Sequence, residues 1–219
     1  MSHVMKHVRL RLACTGVALA MSGSASLAHD GVEHKSLDEA LQHQEETSPD
    51  TAGFPEVKGG DFDLVDHHGN RRTSVDPEGK FQLVFFGYAN CKAICSVALP
   101  RMAAAVDILA DQEIEISPLL ITVDPERDTV ETMGEALAYH HPEMIGLTGT
   151  QEALAIAYEA FKVEKSLVYE HPEEGPIYAH GSFIYLIGPD GTFKTLMPPI
   201  LGPERIAEVT RKYVEGRKS

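Results

Sequence analysis

Two cysteines, Cys91 and Cys95, stand four positions apart in the segment Gly87-Tyr88-Ala89-Asn90-Cys91-Lys92-Ala93-Ile94-Cys95. On a helix, residues with this spacing share a face one turn apart. The apolar run Phe81 to Phe86 ends just before them. The pair therefore falls where a strand hands over to a helix, beside the unsatisfied N–H groups and positive end of that helix. Both effects favour thiolate over thiol, and Lys92 adds a nearby cation. Thiolate is the form that binds soft metals and attacks disulfides.

Two thiolates alone make an incomplete metal site, and the usual third donor is histidine. His180, in Tyr178-Ala179-His180-Gly181 directly before the run Phe183 to Ile187, is the candidate. A set of two sulfurs and one imidazole, with no fourth protein donor, suits copper, and Cu(I) in particular tolerates low coordination. Structural zinc wants four closed ligands. From the residues alone the alternatives stay open. The cysteines also read as a reducible disulfide or as buried thiols, and His180 as a strand-edge histidine bonded to backbone.

The elements that must position these residues are legible in outline. Phe62-Asp63-Leu64-Val65 alternates like a half-buried strand, and His67-His68-Gly69-Asn70 reads as its hairpin turn. Phe81 to Phe86, bounded by Gly79 and Gly87, reads as a buried central strand. Apolar residues at helical spacing run from Val97 to Leu109, with Pro100 expected in the first turn or at a kink. Leu119 to Val123, entered through Pro118 and stopped by Pro125, is a second buried strand. A helix follows to about Tyr139, with Asp128 as N-cap and Glu131 three residues on. Thr150 caps a helix from Gln151 to Phe161. Phe183 to Ile187 is a strand, Gly188 to Gly191 a tight turn, Thr192 to Met197 the return strand, and Pro203 to Val214 the closing amphipathic helix.

That element order predicts an α/β fold: a thioredoxin-like central sheet flanked by helices, with an N-terminal hairpin and helical insertions. In such an order the loop before Phe183–Ile187 faces the cysteine loop, which brings His180 toward the sulfurs.

Residues 1–28 read as an address. They carry Lys6, Arg9 and Arg11 and no acid, then an apolar stretch from Leu12 to Met21, then small residues ending Ser26-Leu27-Ala28. The apolar stretch is well short of the roughly 20 residues that span a bilayer. A cleaved export signal is expected. A mitochondrial transit peptide is the next choice, and a retained anchor the weaker one. Cys14 precedes most of the apolar run and makes a poor lipoprotein signal. Residues 29–60 are polar, with scattered His29, His34 and His43 and a weak helical patch from Ser36 to Gln44, and read as a flexible arm. The domain is expected over 61–219.

The 219 residues are 43% hydrophobic and 24% charged, with 18 Gly, 13 Pro and 3 Cys, which excludes a collagen-like chain and a disulfide scaffold. Net charge is −14. Removal of the signal, with its three basic residues, leaves 16 basic against 33 acidic, or −17. Such a chain does not bind nucleic acid through a general basic surface. Cys14 leaves with the signal, so Cys91 and Cys95 alone meet the oxidising compartment of an exported protein. The loop they would close is too short to staple a fold.

Phe85-Phe86-Gly87-Tyr88-Ala89-Asn90-Cys91-Lys92-Ala93-Ile94-Cys95, Thr122-Val123-Asp124-Pro125-Glu126-Arg127-Asp128-Thr129, Gly146-Leu147-Thr148-Gly149-Thr150, and His180 before Ile184-Tyr185-Leu186-Ile187-Gly188-Pro189-Asp190-Gly191 together resemble the Sco/SenC family, in order and at family spacing over about residues 60–215. The resemblance implies a thioredoxin-like copper protein of the periplasm or the mitochondrial inner membrane. It implies one copper ion, Cu(I) or Cu(II), held by Cys91, Cys95 and His180, with Asp124 as an acid near the site. It implies delivery of that copper to the CuA subunit of cytochrome c oxidase, or thiol–disulfide reduction at the cysteines of that same copper site. The expected protein is a periplasmic monomer that meets the membrane through its partner. Two departures stand out. The family often has Pro after each cysteine, where this chain has Lys92 and Ser96. The residue before the ligand histidine is commonly Asp, and here it is Ala179. Both make the site less anionic.

Other residues read as structural. His67 and His68 are turn residues, and His141 and His171 precede prolines in loops expected to face solvent. Met102, Met133, Met144 and Met197 lack clustered Met-x-Met spacing, and Met102 is expected in the core. Glu170 to Glu174 is a charged hairpin tip. Two competing functions remain beside metal delivery. One is a thiol–disulfide oxidoreductase, weakened by a Cys-x3-Cys rather than Cys-x2-Cys spacing and by the lack of Pro before Gly181. The other is a copper buffer or sensor with no delivery partner.

Overall fold

The structure, a computed structural model, describes residues 57–91, 94–173 and 175–216. The expected export signal, the arm up to residue 56 with its Ser36–Gln44 patch, and Lys92 lie outside the described residues. Where the description begins, the chain is already packed. Val57 lies against the core, and a Cβ on Gly59 or Gly60 would meet Phe193 or Ala160 at 2.5 and 2.8 Å.

The elements in chain order are β1 (Asp63–Asp66), β2 (Arg71–Thr73), β3 (Phe81–Gly87), α1 (Cys95–Ala110), β4 (Ile116–Thr122), α2 (Val130–Ala138), β5 (Ile145–Thr148), α3 (Gln151–Ala160), β6 (Lys165–His171), β7 (Gly175–His180), β8 (Ile184–Ile187), β9 (Phe193–Met197) and α4 (Pro203–Gly216). Seven strands form one sheet in the order β2-β1-β5-β4-β3-β8-β9, and β6 and β7 form a separate two-stranded ribbon. Strands β3, β4 and β5 run parallel, and β8 joins β3 antiparallel. Every residue of β3 and β4 is buried. Parallel strands need cover on both faces, so continuous apolar runs rather than alternating ones are what the sequence must supply there. This is the thioredoxin-like α/β fold expected, with β1–β2 as the N-terminal hairpin on the β5 edge.

Four local expectations are corrected. Helix α1 begins at Cys95, two residues before the predicted start, so Pro100 is its sixth residue and lies past the first turn. The missing N–H falls on an exposed position. Pro118 lies inside β4 instead of leading into it, paired with Leu83 of β3. The β5 ladder begins only at Leu119, so that edge of β4 asks for no donor from Pro118. The cap of α2 is Thr129, whose N–H donates to Thr132 Oγ1 at 2.9 Å; Asp128 is buried and used elsewhere. His141 does not face solvent. It sits buried in the loop after α2, with Nε2 3.2 Å from Asp107 Oδ1 of α1. Met102 is in the core as expected, and Thr150 does cap α3, accepting from the Ala153 N–H at 3.2 Å.

Parallel β3 and β4 end together, Gly87 beside Thr122. Antiparallel β8 starts at that same end, with Ile184 opposite Phe85. The cysteine loop after β3, the loop after β4 and the segment before β8 are thereby gathered at one end of the sheet. This is the place where α/β sheets put their chemistry.

Candidate metal centre

Strand β3 hands over to the cysteine loop at Gly87 and Tyr88. The Tyr88 ring is buried, and its carbonyl accepts the Cys91 N–H at 3.1 Å, closing a tight turn. Cys95 opens α1, and its side chain turns back beneath the end of β3. A Cβ on Gly87 would lie 2.8 Å from Cys95 Sγ, so glycine makes room for the sulfur. Cys91 is 8% exposed and Cys95 1%.

His180 arrives from the opposite direction. It is the last residue of β7, a strand end rather than the loop position predicted, and it pairs with Lys165. Its Nδ1 lies 3.0 Å from the Gly181 carbonyl. A carbonyl can only accept, so Nδ1 carries the proton and Nε2 presents its lone pair. That Nε2 lies 3.9 Å from Cys95 Sγ. The donor atoms of Cys91, Cys95 and His180 all fall within 4.8 Å of one another, and no other group of three such donors forms among the described residues. The three predicted ligands are brought together.

The sulfurs do not both behave as the helix argument predicts. The Cys95 thiol is pushed far above its ordinary value, first by its hydrogen bond to Cys91 and then by burial. In a buried pair the second negative charge is repelled by the first. The reduced pair therefore keeps a proton between its two sulfurs, and a metal must displace it to bind both. Burial, with the charge and hydrogen bond of Cys91, likewise raises the Tyr88 hydroxyl to about 12. The rings of Phe85 and Tyr88 both meet the His180 ring edge-on, at 6.1 Å. This is an aromatic-walled site of two buried sulfurs and a half-buried imidazole, soft donors with which a cuprous ion fits better than a hard one.

Asp124 sits in the loop after β4, 1% exposed, with its carboxylate paired to the Arg127 guanidinium. It is not among the converging donors. Its link to the site runs through Arg127, whose guanidinium carbon lies 5.5 Å from the centre of the Tyr88 ring. Sequence patterning misses a second brace. The buried Asp128 carboxylate accepts the Ala89 N–H at 2.9 Å and the Thr122 hydroxyl at 2.7 Å, pinning the cysteine loop to the end of β4. The Thr148 hydroxyl donates to the Asp128 carbonyl at 2.7 Å and ties in β5. Burial raises the Asp128 carboxyl above its ordinary value despite those donors. Only the run Asp124-Pro125-Glu126-Arg127-Asp128 hints at this in the sequence, and it gives no partner.

Comparison with known proteins agrees with this geometry. The chain is 32% identical over 204 residues to protein sco1 of Schizosaccharomyces pombe, covering 92% of this chain and 77% of that one. It is 32% identical over 217 residues to the mitochondrial SCO2 homolog of Homo sapiens, covering 97% and 78%. Among solved structures, Arabidopsis thaliana ScoI with copper bound superposes with a TM-score of 0.67 at 29% identity, over 73% of this chain and 99% of that one. The sequence model described as SCO1/SenC matches residues 50–215, and the chain belongs to that family.

Proposed function

We propose that this protein is a copper chaperone. It binds one copper ion through Cys91, Cys95 and His180 and delivers it to the CuA site of cytochrome c oxidase. The observation that carries this reading is the approach of His180 Nε2 to Cys95 Sγ, 3.9 Å apart across 85 positions of chain, with the imidazole proton held on the far nitrogen. Three donors, with no fourth side chain joining the group among the described residues, leave the ion open to attack by an incoming thiolate, and ligand exchange then passes it on. The copper-bound structure among its relatives supports the choice of metal. The basic, then apolar, then small-residue order of residues 1–28 supports export to the periplasm. No described helix is long and apolar enough to cross a membrane.

The test is anaerobic titration of the reduced protein with Cu(I), followed by transfer to the soluble copper domain of the oxidase subunit. One equivalent is expected to bind, with thiolate-to-copper absorption in the ultraviolet. Binding is lost in Cys91→Ala and Cys95→Ala and is markedly weaker in His180→Ala. Unchanged affinity in all three variants overturns the assignment.

A second reading has its own support in the two free, buried cysteines, whose sulfurs lie within 4.8 Å of each other. In it, Cys91 thiolate attacks a partner disulfide and one partner sulfur leaves as thiolate. Cys95 then attacks Cys91 sulfur, its proton passes to the departing thiolate, and the second partner sulfur is released. The partner is reduced by two electrons and the Cys91–Cys95 pair is oxidised to a disulfide. Stoichiometric reduction of the oxidised acceptor domain without any copper present would favour this reading over metal delivery.

A further inference from the structure

The β6–β7 ribbon that delivers His180 pairs with none of the seven strands of the main sheet. Residues 165–170 of β6 are all exposed. An isolated two-stranded ribbon is marginally stable in water. Its foot is tied by the Gly181 N–H donating to the Glu164 carbonyl at 3.2 Å. A metal ligand at the end of such a ribbon needs a second fixed point.

Arg127 supplies it from the loop between β4 and α2. Its Nη2 donates to the Pro176 carbonyl of β7 at 2.7 Å. Its Nε donates to the buried Asp124 carboxylate. Its guanidinium carbon lies over the ring of Tyr88 in the cysteine loop, 5.5 Å from the ring centre. The Tyr88 ring in turn meets both Tyr178 of β7 and His180 edge-on, at 6.0 and 6.1 Å. Gly175, at φ +73°, permits the approach, since a Cβ there would stand 3.0 Å from Arg127 Nη1. One planar cation thus touches the buried anchor, the loop bearing Cys91 and the ribbon bearing His180. Lysine, a single point charge on a flexible stem, cannot make these three contacts together.

We infer that Arg127 is a positioning residue for the metal centre: it straps the β6–β7 ribbon to the cysteine loop so that the His180 imidazole stays within reach of the two sulfurs. The strap rests on the proposed copper-binding reading for its purpose, although not for its geometry. It acts through His180, and so the loss of Arg127 should matter only while His180 is present.

The test compares Arg127→Lys with the pair Asp124→Asn/Arg127→Gln, which removes the strap without stranding a buried carboxylate. Affinity for Cu(I) is read by competition with a chromophoric chelator, and amide hydrogen exchange is read on the metal-free protein. Both variants are expected to bind Cu(I) about 10–100-fold more weakly, the usual effect of losing a group that orients a ligand. In a His180→Ala background the same changes are expected to cause no further loss. Exchange should quicken in β6 and β7 while β3 and β4 keep their protection. Wild-type affinity in both variants, an equal further loss in the His180→Ala background, or unaltered ribbon exchange overturns the strap. If the wild-type protein itself binds no copper, the proposed function fails, while the exchange measurement still decides whether Arg127 holds the ribbon.

Discussion

The imidazole Nε2 of His180 lies 3.9 Å from the Sγ of Cys95, 85 positions away in the chain, although Cys95 opens α1 and His180 ends β7, a strand that pairs with none of the main sheet. The main sheet sets the cysteine loop and the ribbon supplies the imidazole, so the site is a seam between two separately built parts. A seam of this kind gains from whatever bridges it.

Copper should therefore act as a bridge that raises stability. A ligand bound only by the folded state stabilises by mass action, about 2.7 kcal/mol when free ligand stands at 100 times its dissociation constant. Urea unfolding of the reduced protein is expected to shift to higher midpoint with Cu(I) buffered at that level. The Cys95→Ala protein should show no such shift. An equal shift in both would mean that the ion binds elsewhere.

Gly87 should resist enlargement. The Cβ of an alanine there would stand 2.8 Å from Cys95 Sγ, 3.1 Å from Phe85 Cε1 and 3.3 Å from Leu120 Cδ1, all buried. Overpacking of a filled core costs about 1–3 kcal/mol. Gly87→Ala is expected to lose that much by urea unfolding, and to bind Cu(I) more weakly because the displaced atom is a ligand. Full retention of both properties would show that the sulfur has room to move.

Asp128 gives a pH signature. Burial holds its carboxyl above the ordinary value in the folded protein. The unfolded chain then releases this proton first as pH rises, so the folded state binds more protons in that interval. The stability linked to this group is complete below about pH 4, the unfolded value, and is lost as pH climbs through the raised folded value. Asp128→Asn keeps a carbonyl oxygen for the Ala89 N–H and the Thr122 hydroxyl and removes the titration. The variant should gain on the wild type between pH 4 and pH 7 in urea unfolding. A constant difference across that range would contradict the assignment.

What could be read in the chain follows from what its pattern records. Phe81 to Phe86 announces a strand because both of its faces are buried, and Cys91, Cys95 and His180 announce themselves by donor chemistry and by their place in the element order. Strands β6 and β7 carry no such mark. Leu167, Val168 and Tyr169 are consecutive and exposed, so no alternation of apolar and polar residues betrays a strand, and a register shift between Leu167 and Tyr169 breaks the period further. Asp128 looks like a helix cap because acids before helices usually are. Its partners Ala89 and Thr122 come from other segments, and spacing along the chain holds no record of them. The raised Cys95 thiol is hidden for the same reason: the sequence shows the helix end, but not the hydrogen bond to Cys91 or the depth of burial beside it.

The Gly181 carbonyl should fix the tautomer of His180. Which imidazole nitrogen carries the proton is set by the hydrogen bond that the other atoms of the ring are offered. Here Nδ1 faces the carbonyl at 3.0 Å, and Nε2 faces sulfur at 3.9 Å, beyond the reach of a strong bond. Nitrogen-15 spectra of the metal-free, reduced protein above the titration range of histidine are expected to show His180 with a pyrrole-type Nδ1 and a pyridine-type Nε2. Addition of one equivalent of Cu(I) should then move the Nε2 resonance and leave Nδ1 nearly in place, because the proton already sits where metal binding requires it. A spectrum with the proton on Nε2 would mean that the ring must exchange its proton before it can bind. In that case the three donors would be close together without being prepared, and Cu(I) uptake should slow as the tautomer exchange becomes limiting.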